Sequence, residues 1–222
     1  MRKLPLIPVL VALVALTAQA VPVDLRVDFG NKAASPGAGW NTISGHVTDL
    51  AVVDFTSGNT SHGVTLTVGT VSYSWINGTT SANWNTANPG PSWLDSSQNA
   101  AKDFMSLGWN LIGLVTFKNL DPSLKYTVEL VSSNNAAGYA VPFYINNANM
   151  QTLNHQTQGY ALGQWLTWDN ISPDAGNQIQ IKVGATGNYN KYVNAIRIYA
   201  VPEPASLALL ALGGLALLRC RR

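Results

Sequence analysis

Much of the chain between residues 21 and 200 consists of segments in which apolar and polar residues alternate. The clearest is 177–183, where Ile179, Ile181 and Val183 alternate with Gln178, Gln180 and Lys182. A period of two places successive side chains on opposite faces of a strand, so one face is buried and the other is solvated. We therefore expect Ile179, Ile181, Val183, Val128 and Leu130 in a core. The strands predicted on this pattern are 23–29, 47–55, 64–68, 71–76, 111–117, 126–130, 140–146, 177–183 and 192–199.

Residues that favour turns separate these segments, at Asn77-Gly78, 88–91, Asp121-Pro122 and 173–176. One segment departs from the pattern, because Asp95 or Ser96 can cap a short helix that runs through Leu107 and ends at Gly108. Many short strands without alternating helices are typical of sandwiches. The sequence predicts one all-β domain, a single antiparallel β-sandwich of the jelly-roll type, with at most one short helix.

The first twenty residues predict a secretion signal. Arg2 and Lys3 precede an apolar run over 4–16, and Ala18-Gln19-Ala20 gives the small-x-small pattern after which signal peptidase cuts. We expect residues 1–20 to be removed and the β-sandwich domain to span 21–200.

The last residues, 201–222, predict a second targeting segment. Pro202, Glu203 and Pro204 precede an apolar stretch over 205–218, and Arg219, Arg221 and Arg222 close the chain. The stretch is shorter than the roughly 20 residues that cross a bilayer comfortably, but arginine side chains at its end extend the effective span. Positive charge at both ends keeps both ends in the cytoplasm, so the domain between them is predicted to lie outside.

This three-part tail resembles the PEP-CTERM sorting signal. The resemblance implies an exosortase-type transpeptidase that removes the apolar helix, in a Gram-negative bacterium that makes exopolysaccharide. The protein is then expected to be anchored in the inner membrane through the tail before processing, and to reach the cell surface or extracellular matrix afterwards. A plain C-terminal membrane anchor is the alternative.

Charge and cysteine content exclude several classes of function. Residues 21–200 hold ten acidic and eight basic residues, a net charge of −2 without a basic stripe, so a nucleic-acid partner is not expected. The one cysteine, Cys220, lies in the tail, so the domain has no disulfide. Its polarity comes from Asn, Gln, Ser, Thr and Gly, which suits neutral polar partners such as glycans but is equally common in exported β-proteins.

The domain also resembles the galactose-binding-like jelly-roll sandwiches, a group that includes many carbohydrate-binding modules. The resemblance rests on four phrases, at 27–30, 117–128, 168–174 and 194–198. These phrases imply a fold and not a ligand, because none of their residues is a ligand contact by itself.

No catalytic constellation appears in the sequence. There is no Gly-x-Ser-x-Gly motif, and His46, His62 and His155 are scattered. Asp95 and Asp103 would share a face of the predicted helix without touching. No cofactor is predicted; a structural Ca²⁺ is compatible with jelly rolls of this kind, and Asp28 and Asp49 are the carboxylates we consider for it, without a spacing argument for either.

A loop over 83–92 is the predicted ligand site. Trp84 and Trp93 bracket it, Asn83 and Asn85 offer amide donors and acceptors, and Pro89 and Pro91 stiffen it. The alternative is that these tryptophans anchor the loop to the sandwich. Trp75, Trp109, Trp165 and Trp168 are expected to pack in the core or on a sheet face.

These observations predict a non-catalytic glycan-binding or structural protein of the extracellular polysaccharide. A hydrolase acting on that polysaccharide and a surface scaffold without a small ligand are the alternatives.

Overall fold

A computed structural model describes residues 23–30, 36–60, 62–70, 76–79, 91–94, 100, 103–107, 111–132, 140–154, 164–184 and 191–201. Within these ranges the chain forms strands and no α-helix. The strands are β1 (Asp24–Phe29), β2 (Trp40–Ile43), β3 (Val47–Ala51), β4 (Thr65–Thr70), β5 (Ile76–Thr79), β6 (Asp103–Leu107), β7 (Gly113–Lys118), β8 (Lys125–Ser132), β9 (Ala140–Ile145), β10 (Ala148–Asn154), β11 (Gln164–Ile171), β12 (Ile179–Val183), β13 (Lys191–Val193) and β14 (Ala195–Val201).

The strands form three sheets. The five-stranded sheet has the order β11-β8-β14-β1-β2, the six-stranded sheet β10-β9-β12-β7-β4-β3, and a smaller sheet β13-β6-β5. The pairs are antiparallel except β1 and β2, which run parallel with Arg26 beside Trp40. The predicted all-β sandwich is confirmed, and the parallel pair adds a feature that the sequence pattern did not indicate.

The core lies between the two large sheets. On the five-stranded sheet, Leu25, Ile198 and Val128 lie side by side on three neighbouring strands and are fully buried. The six-stranded sheet supplies the opposing layer, which includes Val115, Phe117, Phe143 and Ile145. The five residues predicted for the core are all fully buried, which confirms the period-two pattern: Ile179, Ile181, Val183, Val128 and Leu130.

The predicted helix is wrong over its described C-terminal part. Residues 103–107 form β6, which pairs with β5 on one side and β13 on the other. Met105 and Leu107 are fully buried and alternate with the half-buried Phe104 and Ser106, so tertiary pairing overrides the helical reading. The turn predicted at Asn77-Gly78 is wrong for the same reason, because both residues lie inside β5.

Other predicted features fall outside the described residues. These are the residues 95–99 of the helix, the strand residues 71–75, and Trp75 and Trp109. The same holds for 1–22 and 202–222, so the domain boundaries at 20 and 201 stay predictions. No helix among the described residues combines the length and the hydropathy needed to span a bilayer.

A two-residue hairpin fixes the position of β10 at the edge of its sheet. Asn146 and Asn147 connect β9 to β10 with φ values of 50° and 58°. Two successive left-handed residues are the mark of the type I′ turn, whose twist matches that of the strands it joins. The turn is also tied to β12, because the Asn146 N–H donates to the Gln180 carbonyl and its Oδ1 accepts from the Gln180 N–H, both at 2.8 Å.

Candidate functional site

An open groove lies where the edges of the two large sheets face each other. β10 ends the six-stranded sheet and β11 ends the five-stranded sheet. Each strand carries a β-bulge, β10 at Asn149 (φ 47°) and β11 at Asn170 (φ 59°). Bulges bend a strand and interrupt its pairing, so the two edges do not close into one ladder. We name this feature the edge groove; it encloses about 520 Å³ and is lined by Asn149, Met150, Gln151, Thr167, Trp168, Asp169, Asn170 and Ile171.

Two side chains bridge the groove in place of a backbone ladder. The indole N–H of Trp168 donates to the Asn149 carbonyl at 2.7 Å, and the amide of Gln151 donates to the Thr167 carbonyl at 2.7 Å. Trp168 is buried, so its bond holds the β10 bulge against the core. The groove therefore lies between two edge strands that are held together by these two side-chain hydrogen bonds.

The lining offers several kinds of hydrogen-bonding group. Asn149 and Asn170 carry amides, Thr167 carries a hydroxyl, and Asp169 carries a carboxylate. The Oδ1 atom of Asp169 accepts from the Thr127 hydroxyl at 2.9 Å, which fixes the carboxylate on the outer face of the sheet. Amides, hydroxyls and a carboxylate together can donate to and accept from a ligand rich in hydroxyls.

An exposed tryptophan continues the groove along β11. Trp165 is 40% exposed and lies two residues before Thr167, on the same face of the strand. Residues two apart on a strand are about 7 Å apart, so the indole lies beside the polar lining. Trp168 faces the core instead. The two tryptophans that the sequence grouped together thus have different environments, and the exposed one supplies an aromatic surface.

A chain of ion pairs crosses the outer face of the five-stranded sheet next to the groove. Arg197 makes two hydrogen bonds to the carboxylate of Asp24, at 2.8 and 3.1 Å, and a third to Glu129 at 3.3 Å. Arg26 pairs with the same Asp24 at 3.0 Å. Burial raises the pKa of Glu129, and nearby Asp169 adds to this, whereas Arg197 and the Trp93 indole favour the charged form. Both arginines are therefore engaged by protein carboxylates.

Trp93, at the end of the predicted ligand loop, is buried on this face. It is 4% exposed, and its ring centroid lies 5.9 Å from that of Trp40 at an interplanar angle of 31°. Its carbonyl accepts from Arg26 at 2.8 Å, and the Arg26 guanidinium lies 3.4 Å from the ring centroid of Phe55. The indole N–H makes no hydrogen bond of standard geometry, although it lies near Glu129. Trp93 thus anchors residues 91–94 to the sheet.

Trp84, Asn83 and Asn85 lie outside the described residues, so the ligand contacts proposed for them stay predictions.

The two carboxylates considered in the sequence for a calcium site lie in different sheets. Asp28 is buried in β1 with Thr42 donating to it at 3.3 Å, whereas Asp49 is exposed in the other sheet and pairs with Lys118 at 2.7 Å. Among the described residues, no three His, Cys, Asp or Glu side chains group as a metal site.

The histidines make local contacts. His46 Nδ1 lies 3.3 Å from the Val68 carbonyl, and His62 Nδ1 accepts from the Val64 N–H at 3.0 Å. His155 and Asp95 lie outside the described residues, and Asp103 lies in β6 and not on a helix.

A family comparison identifies the tail. The PEP-CTERM protein-sorting motif matches residues 200–222. The chain carries this sorting motif. The resemblance found in the sequence is confirmed, and the motif indicates an exported, sorted protein. No curated protein matches the chain.

Several solved structures align with the chain at low sequence identity. Beta-glucuronidase 2 of Bacteroides uniformis aligns with a TM-score of 0.51 and 13% identity over 81% of this chain, which spans 18% of the glucuronidase. The family 35 carbohydrate-binding module of Clostridium thermocellum aligns with a TM-score of 0.32 and 16% identity, over 56% of this chain and 92% of the module. The carbohydrate-binding module CBM36, solved with calcium and xylotriose, aligns with a TM-score of 0.32 and 17% identity, over 55% of this chain and 87% of the module. The glucuronidase alignment supports the sandwich fold.

Proposed function

We propose that this protein is a sorted surface or matrix protein whose β-sandwich binds extracellular polysaccharide without cleaving it. The observation that carries the proposal is the edge groove, in which amide, hydroxyl and carboxylate groups lie beside the exposed indole of Trp165. Sugars present both apolar C–H faces and hydroxyls. An aromatic face next to convergent polar groups meets both requirements.

The groove is a better candidate than the buried Trp93, because a stacking residue must present a ring face to solvent. Trp165 is 40% exposed and lies on a strand whose backbone is fixed by pairing with β8. A site on a rigid element loses little conformational entropy when a ligand binds.

The hydrolase alternative rests on Glu129 and Asp169, two neighbouring carboxyl groups of which Glu129 has a raised pKa. A raised pKa suits a general acid. The side chain of Glu129 is only 13% exposed, however, and Arg197 contacts it at 3.3 Å. This engagement favours a structural ion pair over a general acid that reaches a substrate, so we favour binding.

Replacing Trp165 with alanine tests the proposal. We expect Trp165→Ala to weaken binding of the host's own polysaccharide by about 1–3 kcal/mol, by analogy with stacking on nucleic-acid bases. The melting temperature should fall by about 2 °C or less, because Trp165 lies at the surface and a change of this size follows from less than 1 kcal/mol. Isothermal titration and calorimetric melting of the purified protein measure the two effects.

The matched control is Leu50→Ala, since Leu50 is also 40% exposed but lies in β3, on the other sheet. It should leave binding unchanged. Saturable binding that survives Trp165→Ala would place the site elsewhere. Release of reducing ends would favour the hydrolase, and absence of both binding and turnover would favour the scaffold.

The processing steps belong to the same proposal. Signal peptidase would release the chain near Val21, and an exosortase-type transpeptidase would remove the tail near Pro202-Glu203-Pro204, which ends a transient attachment to the inner membrane. We expect the intact mass of the exported protein to correspond to a chain that begins near Val21 and lacks 207–222. A species that retains 207–222 in cells containing the sorting enzyme would indicate a plain membrane anchor instead.

A further inference from the structure

We infer that the edge groove selects an uncharged polysaccharide chain and discriminates against acidic ones. This inference rests on the proposed function and specifies its ligand. It follows from the charges around the groove, the free oxygen of Asp169, and the length of the surface along β11.

Among the described residues, the lining contains one carboxylate and no basic side chain. Asp169 is the only ionisable residue among the eight that line the groove. The nearby Arg197 is held by Asp24 and Glu129, and Arg26 by Asp24 and the Trp93 carbonyl. A uronate group in the groove would therefore approach Asp169 without a free arginine on this face to neutralise it. Like charges at short range, partly shielded from water, repel strongly enough to decide between ligands.

Lys125 is the basic residue nearest to one end of the groove. Its ammonium donates to the Ser172 hydroxyl, one residue beyond Ile171. Lys125 lies at the start of β8, whereas Trp165 contacts the far end of the same strand, opposite Val131. One uronate of an acidic chain could reach Lys125, but this single lysine lies at one end of the groove and cannot offset the several charges of an acidic segment that extends along β11.

The free oxygen of Asp169 suits a hydroxyl ligand. Oδ1 accepts from Thr127, and Oδ2 has no hydrogen bond to any described residue. A carboxylate oxygen that accepts from a sugar hydroxyl forms a charge-assisted bond, which is stronger than a neutral one. The group that repels a uronate thus attracts a neutral sugar.

The surface is longer than one sugar ring. Trp165, Thr167 and Asp169 alternate with inward-facing residues on the same strand, so the Cα atoms of Trp165 and Asp169 are about 14 Å apart along an extended strand. A single ring cannot contact both. The geometry therefore favours a segment of a polymer lying along β11, with Trp165 and Asp169 contacting different units.

Acidic polymers and their carboxyl-reduced derivatives test charge selection. Polygalacturonate and alginate are each compared with their own reduced derivative, which has the same linkage and length distribution but lacks the charge. The host exopolysaccharide, native and carboxyl-reduced, is tested in the same way. In titrations of the purified full chain at low salt, we expect a reduced polymer to bind at least tenfold more tightly than its acidic parent. The difference should shrink in 1 M NaCl, where the screening length is about 3 Å.

Asp169→Asn locates the effect, because it removes the charge while the asparagine oxygen still accepts from Thr127. We expect this variant to bring the affinities for reduced and acidic polymers to within about threefold. Asp49→Asn removes the same charge from the other sheet and should leave the tenfold difference in place.

Three results would overturn the inference while the proposed glycan binding stands. They are tighter or equal binding of the acidic polymers, a preference that Asp169→Asn leaves unchanged, and equal affinity for a monosaccharide and its polymer. Absence of binding to every polymer, including the host's own, would instead contradict the proposed function itself.

Discussion

Trp93→Ala is expected to lower the free energy of unfolding by about 3–5 kcal/mol, the cost typical of deleting a large buried aromatic side chain. Trp93 is almost fully buried and packs against Trp40, with Val131 and Ala195 in the same cluster. Its removal leaves a cavity on the outer face of the five-stranded sheet and loosens the segment that binds Arg26. Chemical denaturation of the purified variant, followed by tryptophan fluorescence and circular dichroism, measures the loss.

Trp165→Ala is the matched control, because it deletes the same side chain from an exposed position and should cost less than about 1 kcal/mol. The comparison separates the two roles considered for Trp93. If Trp93→Ala keeps the stability of the wild type but loses affinity for glycan, Trp93 is a stacking residue. The glycan-binding site would then be the predicted loop over 83–92 and not the edge groove.

Arg197→Met is expected to lower the free energy of unfolding by a similar amount, about 3–5 kcal/mol at pH 7. The change keeps much of the side-chain volume but removes the positive charge that contacts two carboxylates. Asp24, 14% exposed, would keep its ion pair with Arg26, whereas Glu129, 13% exposed, would lose its ion-pair partner among the described residues. Buried charges without a partner are among the most destabilising changes known in proteins.

The pH dependence identifies the cause. Burial already raises the pKa of Glu129, and loss of Arg197 removes the largest opposing influence. A carboxyl group whose pKa is raised in the folded state binds more protons folded than unfolded, so it stabilises the fold as pH falls. The difference in the free energy of unfolding between the wild type and Arg197→Met should therefore become smaller as the pH is lowered from 7 to 4.

Lys118→Met serves as the control for Arg197→Met. It breaks the ion pair with Asp49, in which the two side chains are 34% and 57% exposed. Exposed ion pairs contribute little to the free energy of unfolding, so this variant should be close in stability to the wild type. An equal loss from the two variants would show that charge removal in general, and not burial of the pair, controls stability.

The central strands could be predicted because each buries one face. In β12 and over residues 126–130 of β8, apolar and polar residues alternate, and this alternation identified the core residues correctly. β10 was missed because it is an edge strand made largely of Ala, Asn, Gln and Thr, with little apolar surface to alternate. β6 was misread because a capping residue and a following glycine suggested a helix, whereas pairing on both sides selected a strand.

The groove could not be predicted because it depends on two bulges brought together by the sheet order. The sequence does contain part of the signal. Trp165 and Trp168 are three residues apart, and an odd spacing on a strand places side chains on opposite faces. Once β11 is recognised, one of the two must face solvent. The Asn residues at 149 and 170 were a second clue, since asparagine tolerates the left-handed conformation that these bulges require.

The position of β14 has a mechanical consequence for a protein attached through its tail. β14 runs directly into the sorting motif, and it is the central strand of its sheet, hydrogen-bonded to β8 on one side and β1 on the other. Under the proposed attachment, tension would enter the domain at Val201 and would be shared by two ladders. Peeling the strand away would require both ladders to break, so the strand that leads into the tail is held from both sides.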